Sequence, residues 1–119
     1  MEPGSEETPE ITVPSFKVLW HPDTRGDLGK LSREIRGKII ETATYKLSRA
    51  PQFIGQPIKG TKKLLWKIRF SKYRIVYTIA EKTPEVWIVS VGKRDSVYRN
   101  EFIQSWIKLA IAIHETEKR

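Results

Sequence analysis

Lys67, Arg69, Arg74, Lys93, Arg94 and Tyr98 are the residues whose types and spacing suit chemistry. Lys67 and Arg69 stand two apart, so a strand sends both to one face. Arg74 lies in the next apolar run, and Lys93 and Arg94 lie in a later turn followed by Tyr98. Clustered cations suit a phosphate group, and arginine offers it a paired, planar contact. Other chemistries lack material. The chain has no cysteine, which removes disulfides, thiolate metal sites and a thiol nucleophile. Its two histidines, His21 and His114, leave little material for a histidine metal site or a two-histidine nuclease. There is no Ser–His–Asp set, phosphate-cradling glycine loop or pair of carboxylates. Neither a metal nor a cofactor is expected. His21, before Pro22, reads as a capping or surface residue; His114 reads as a surface residue near the exposed end of the last helix.

The charge distribution sharpens this. The 119 residues carry a formal net charge of +8. Residues 1–15 hold Glu2, Glu6, Glu7 and Glu10 and no basic residue, so they contribute −4 and the remainder carries +12. Between Glu41 and Glu81 there is no acid, yet there are nine basic residues: Lys46, Arg49, Lys59, Lys62, Lys63, Lys67, Arg69, Lys72 and Arg74. A solvated face normally mixes signs. One-sided charge costs stability and favours a phosphate-bearing partner. Charge alone equally fits a surface kept basic for solubility.

The elements that must position these residues follow from pattern. Residues 1–15, with Pro3, Pro9 and Pro14, read as a disordered acidic tail. They lack a basic start and an apolar run, so no secretory signal is expected. Residues 16–119 read as one domain. A strand is expected over 16–20, a weak helix over 23–31 and a stronger one over 32–48. Leu28, Leu31, Ile35, Ile39, Ala43 and Leu47 give that helical pair one apolar stripe. Residues 50–57, with Pro51, Gly55 and Pro57, read as loop.

Strands over 64–70 and 73–79 form a hairpin through Ser71 and Lys72, with Trp66, Ile68, Tyr73, Ile75 and Tyr77 facing the core. Residues 86–91 are apolar on both faces, which marks an inner strand; Trp66 and Trp87 are expected in the core. Residues 92–97 read as loop, and a final helix is expected over 98–115. The fold class is α+β, with helices on one face of a largely antiparallel sheet. The last helix has a surplus apolar stripe, Ile103, Ile107 and Ile111, which reads as a surface for a protein partner. No segment is long and apolar enough to span a membrane.

Three segments in order resemble the RelE/ParE toxin superfamily: FKVLWHPDTRGDLGKL, then QPIKGTKKLLWKIRFSKYRIVYTI, then VSVGKRDSVYRN. The similarity covers residues 16–100. It implies the small RelE-like fold and a cytoplasmic toxin held inactive by a cognate antitoxin. RelE-type members are ribosome-dependent mRNA endoribonucleases, whereas ParE-type members poison DNA gyrase and generally lack the cationic cluster.

On the RelE side, Lys67, Arg69, Arg74, Arg94 and Tyr98 match the catalytic positions. The resemblance implies that they grip mRNA in the A site of the 30S ribosomal subunit. The 2′-hydroxyl then attacks the adjacent phosphate, leaving a 2′,3′-cyclic phosphate and a 5′-hydroxyl. Lys59, Lys62, Lys63, Lys72 and Lys93 are the cations expected to hold RNA around them. Ile103, Ile107 and Ile111 are the stripe expected to meet the antitoxin. The sequence departs from RelE at Arg69, where lysine is common. Arginine is effectively never deprotonated, so Arg69 is expected to stabilise charge. The base is then Lys67, a ribosomal group or none. A ParE-like gyrase poison and a basic nucleic-acid-binding module without catalysis are the competing readings.

Overall fold

A computed structural model describes residues 15–93 and 100–117. Five strands form one sheet: β1 (Lys17–Trp20), β2 (Gln56–Pro57), β3 (Trp66–Phe70), β4 (Tyr73–Ala80) and β5 (Glu85–Lys93). Their order across the sheet is β1-β5-β4-β3-β2. β1 runs parallel to β5, and every other pairing is antiparallel. The helices are α1 (Thr24–Gly29), α2 (Arg33–Leu47), α3 (Pro51–Ile54) and α4 (Asn100–Glu117). The acidic stretch 1–14 lies outside the described residues.

The α+β class and the largely antiparallel sheet match the sequence expectation. The strand β2 and the short helix α3 replace the expected loop over 50–57. Pro51 begins α3, where its missing N–H leaves no helical bond unmade. Its carbonyl accepts the Tyr77 hydroxyl at 2.7 Å. Local breakers were present, but a buried tyrosine from β4 gave the turn a partner.

α2 starts at Ser32, whose hydroxyl oxygen accepts the Ile35 N–H at 3.2 Å, satisfying one of the free donors of the first turn. The expected stripe packs as read. Ile39, Ala43 and Leu47 are fully buried with Ile68, Tyr73, Ile75, Tyr77, Val86 and Ile88, and Leu28, Leu31 and Ile35 pack against them. Burying one such side chain contributes about 1.5–3 kcal/mol.

The expectation that all helices share one sheet face is corrected. Ile58, Leu65, Val76 and Val89 form a second cluster with Trp106 and Ala110 of α4. Val76 alternates with core-facing Ile75 and Tyr77, so α4 covers the opposite face. The reason is visible in β5: a strand apolar on both sides needs cover on both. His114 is not the exposed residue expected. Its Nε2 lies 3.0 Å from the hydroxyl of buried Thr78 and ties α4 to β4. Trp87 is half-buried rather than in the core, and its indole N–H donates to Glu85 Oε1 at 3.0 Å. His21 caps as expected: its Nδ1 accepts the Asp23 N–H at 3.1 Å, and its carbonyl accepts the Thr24 hydroxyl at 2.6 Å.

Among the described residues no helix is long and apolar enough to cross a membrane.

Candidate functional site

The hairpin β3–β4 builds the site. Ser71 adopts the left-handed backbone at φ 55° and turns the chain between the strands. The register then sets Arg69 opposite Arg74 and Lys67 opposite Val76. Directly opposed residues share a sheet face, so Lys67, Arg69 and Arg74 lie on the face that carries Val76, as the two-residue alternation predicted. On its other side Arg74 is opposite Gly92 of β5, which has no side chain to crowd it. Arg74 is only 9% exposed, whereas Arg69 is exposed.

These three residues line a cleft of about 460 Å³ together with Lys46, Ile54, Gln56 and Ile68. The cleft lies where β2 stops. β2 pairs with β3 only at Trp66 and Lys67, so among the described residues no strand pairs with the outer edge of β3 from Ile68 onward. Among the described residues, four cations and no acid line the cleft. A phosphate placed there meets positive charge from several directions. Such fixed charge is the arrangement that stabilises a more highly charged transition state.

The remaining candidates scatter. Lys59, Lys62 and Lys63 are exposed in the segment between β2 and β3, and Lys72 is exposed in the hairpin turn with its ammonium 5.9 Å from the Tyr73 ring. None of these lines the cleft. Lys93, at the end of β5, lines a separate cavity of about 590 Å³ with Asp27, Tyr73, Gly92, Phe102 and Trp106. Arg94 and Tyr98 lie outside the described residues. In α4, Ile103 and Ile107 are half-buried against the chain's own second core, while Ile111 is 43% exposed. Most of the surplus stripe is therefore used within the domain.

Residues 18–98 match the family described as the ParE toxin of the type II toxin–antitoxin system parDE. This chain belongs to the RelE/ParE toxin family. Toxin RelG of Mycobacterium tuberculosis is 31% identical over 84 residues, covering 71% of this chain and 97% of the relative. The RelBE2 toxin–antitoxin complex from Mycobacterium tuberculosis contains a chain 30% identical to this one. It superposes with a TM-score of 0.62, over 67% of this chain and 99% of that one. A RelE mutant of Escherichia coli in the free state shares the fold at a TM-score of 0.60 with 18% identity, over 79% of this chain and 96% of that one.

Two features of this RelE/ParE family member escaped sequence reading. Lys46 reaches the cleft from α2 because Leu47, beside it, is locked in the core. The acid-free run from 42 to 80 contained that signal. Asp27 of α1 accepts the Val91 N–H at 3.0 Å and so touches β5 near its end. No local pattern marks a bond across 64 residues of sequence. Burial holds the Asp27 carboxyl above its ordinary value of 3.8, despite the Val91 hydrogen bond and the nearby Lys30 charge that pull it down.

Proposed function

We propose that this toxin is a ribosome-dependent endoribonuclease that cuts mRNA in the A site. One observation carries the reading: the acid-free cleft that gathers Lys67, Arg69 and Arg74 around one open strand edge. The 2′-oxygen bonds to phosphorus as its proton leaves. The bond from phosphorus to the 5′-oxygen breaks, and that oxygen takes up a proton. The products are a 2′,3′-cyclic phosphate and a 5′-hydroxyl. Arg69 and Arg74 stabilise the charge that builds on the phosphorane, which contributes several kcal/mol in sites of this kind. Lys67 holds the phosphate or takes the proton. Arg94 supports the leaving oxygen and Tyr98 stacks on a base, worth about 1–3 kcal/mol per base.

A cognate antitoxin is the proposed protein partner, as in the RelBE2 complex. It acts by covering the cationic face or by displacing α4 from Val76 and Val89.

The test is cell-free translation with the purified protein and mapping of mRNA ends by primer extension. Cuts inside the A-site codon that need ribosomes and vanish in Arg74→Ala and Arg94→Ala support the reading. The second reading, a ParE-type gyrase poison, is favoured by the family match over residues 18–98. Intact mRNA with inhibited gyrase supercoiling would establish it instead.

A further inference from the structure

We infer that Lys46 and Gln56 extend the cleft into a track on which the RNA strand crosses the open edge of β3, with Lys46 contacting a phosphate next to the scissile one. The inference rests on the RNA-cleaving reading above. Lys67, Arg69 and Arg74 approach the cleft from the sheet face that also carries Val76 and α4. Lys46 approaches from α2, which covers the other face. A ligand that touches all four must therefore pass over the strand edge, and among the described residues no strand pairs with that edge beyond Lys67. A flexible single strand with one phosphate per nucleotide fits this path.

Lys46 has the attributes of a ligand contact. It is exposed, and no acid among the described residues is paired with it; the i,i+4 pair on α2 joins Lys38 and Glu34 instead. Its neighbour Leu47 is fully buried, so the helix backbone that carries it is fixed. Gln56 sits at the end of the covered edge, opposite Lys67. Its amide can donate and accept at once, so it can meet a ribose hydroxyl or a base edge without adding charge. An acidic peptide is the poorer fit. Among the described residues only Ile54 and Ile68 supply apolar lining, with none of the large aromatic side chains on which protein partners commonly anchor.

The test uses a short single-stranded RNA with one 2′-deoxy position, which binds but is not cut, titrated against the full chain at several salt concentrations. Lys46→Gln is expected to weaken binding several-fold and to lower the slope of log affinity against log salt by about 0.7, the value for one phosphate contact on a single strand. Lys46→Arg restores both. Gln56→Ala weakens binding with the slope unchanged. In cell-free translation, Lys46→Gln needs more toxin for half-maximal cleavage but cuts at the same positions. Thermal melting of each variant at the wild-type temperature confirms that the fold is intact. Wild-type affinity and slope in Lys46→Gln, with both reduced in Lys67→Gln, would overturn the track and leave the nuclease reading standing. No loss in either variant would remove the RNA reading itself. If Lys46→Glu spares RNA and weakens binding of the antitoxin, this edge belongs to a protein partner.

Discussion

The carboxylate of Asp27 accepts the main-chain N–H of Val91 at 3.0 Å. The bond has a topological reason. β1 pairs with β5 only as far as Ile88, and the chain then leaves the sheet at His21, whose N–H donates to the Ile88 carbonyl at 2.9 Å. Beyond that point, among the described residues, no strand neighbours β5 on this side, and Asp27 takes over from α1. Burial raises the Asp27 carboxyl above 3.8. The folded state thus holds this proton more tightly than the unfolded chain. That contribution to stability is complete below the unfolded value and is lost as pH rises through the folded one. An amide oxygen can accept the same N–H without carrying charge. Denaturant titrations between pH 3.5 and pH 7 should therefore show a falling component in the wild type that Asp27→Asn lacks. Parallel profiles for the two proteins would disprove the assignment. Asp27→Ala leaves the N–H without its partner and should cost about 1 kcal/mol at low pH, and less as pH rises and the wild type loses the proton-linked component.

Gly55 and Tyr77 make a second checkable contact. A Cβ built at Gly55 would collide with the Tyr77 hydroxyl and lie 2.9 Å from the Lys67 carbonyl. That hydroxyl is fully buried and donates to Pro51. Gly55→Ala should destabilise the fold by about 1–3 kcal/mol, the range for overfilling a packed core. Tyr77→Phe removes the obstructing oxygen and should cost about 1 kcal/mol for its lost hydrogen bond. The double variant should lose less than the two singles together, since one defect makes room for the other. Strict additivity in thermal or denaturant unfolding would show that the clash lies elsewhere.

The strands and the main helices were legible because each carried a strong period. Trp66, Ile68 and Phe70 alternate with Lys67 and Arg69, and the α2 stripe recurs every three or four residues. Both patterns report one buried face. The side of the sheet taken by α4 was not legible from its own residues. Its girth is apolar at Ile103, Trp106, Ile107 and Ala110, and such a helix fits a core or a partner equally well. The answer lay in Val76 and Val89, which demanded cover on the second face. Likewise Lys67 and Arg69 could be paired from the sequence, but Lys46 could not be joined to them. That meeting depends on where β2 stops, and a two-residue strand leaves no periodic trace.

Lys62 and Lys63 both hold left-handed backbone, at φ 54° and 63°. Side chains cost energy there that glycine does not. The turn is fixed by neighbours: the Thr61 hydroxyl donates to the Ile58 carbonyl at 2.7 Å, and the Trp66 indole donates to the Lys63 carbonyl at 3.1 Å. Lys62→Gly and Lys63→Gly should each raise stability by about 0.5 kcal/mol, because relief of strain exceeds the added freedom of the unfolded chain. Differential scanning calorimetry should show a rise of a few degrees. A lower melting temperature would mean that the lysine side chains contribute more than their backbone costs.

Arg69 and Arg74 face each other across β3 and β4, and directly opposed like charges cost about 0.2–1 kcal/mol. Among the described residues, no acidic side chain lines the cleft to offset them. This pairing should set stability against activity. Arg69→Gln removes one charge from an exposed position and leaves the buried stem of Arg74 in place. The variant should melt at a higher temperature than the wild type while cleaving mRNA on the order of 100-fold more slowly, the loss typical for one charge-stabilising donor. Added salt should shrink the difference in melting temperature, since screening weakens the repulsion between the paired arginines. The cleavage defect should persist at equal occupancy of the ribosome. A lower melting temperature in Arg69→Gln would show that the two guanidinium groups are held apart well enough to cost nothing. Unchanged cleavage with a raised melting temperature would keep the repulsion and remove Arg69 from the reacting phosphate.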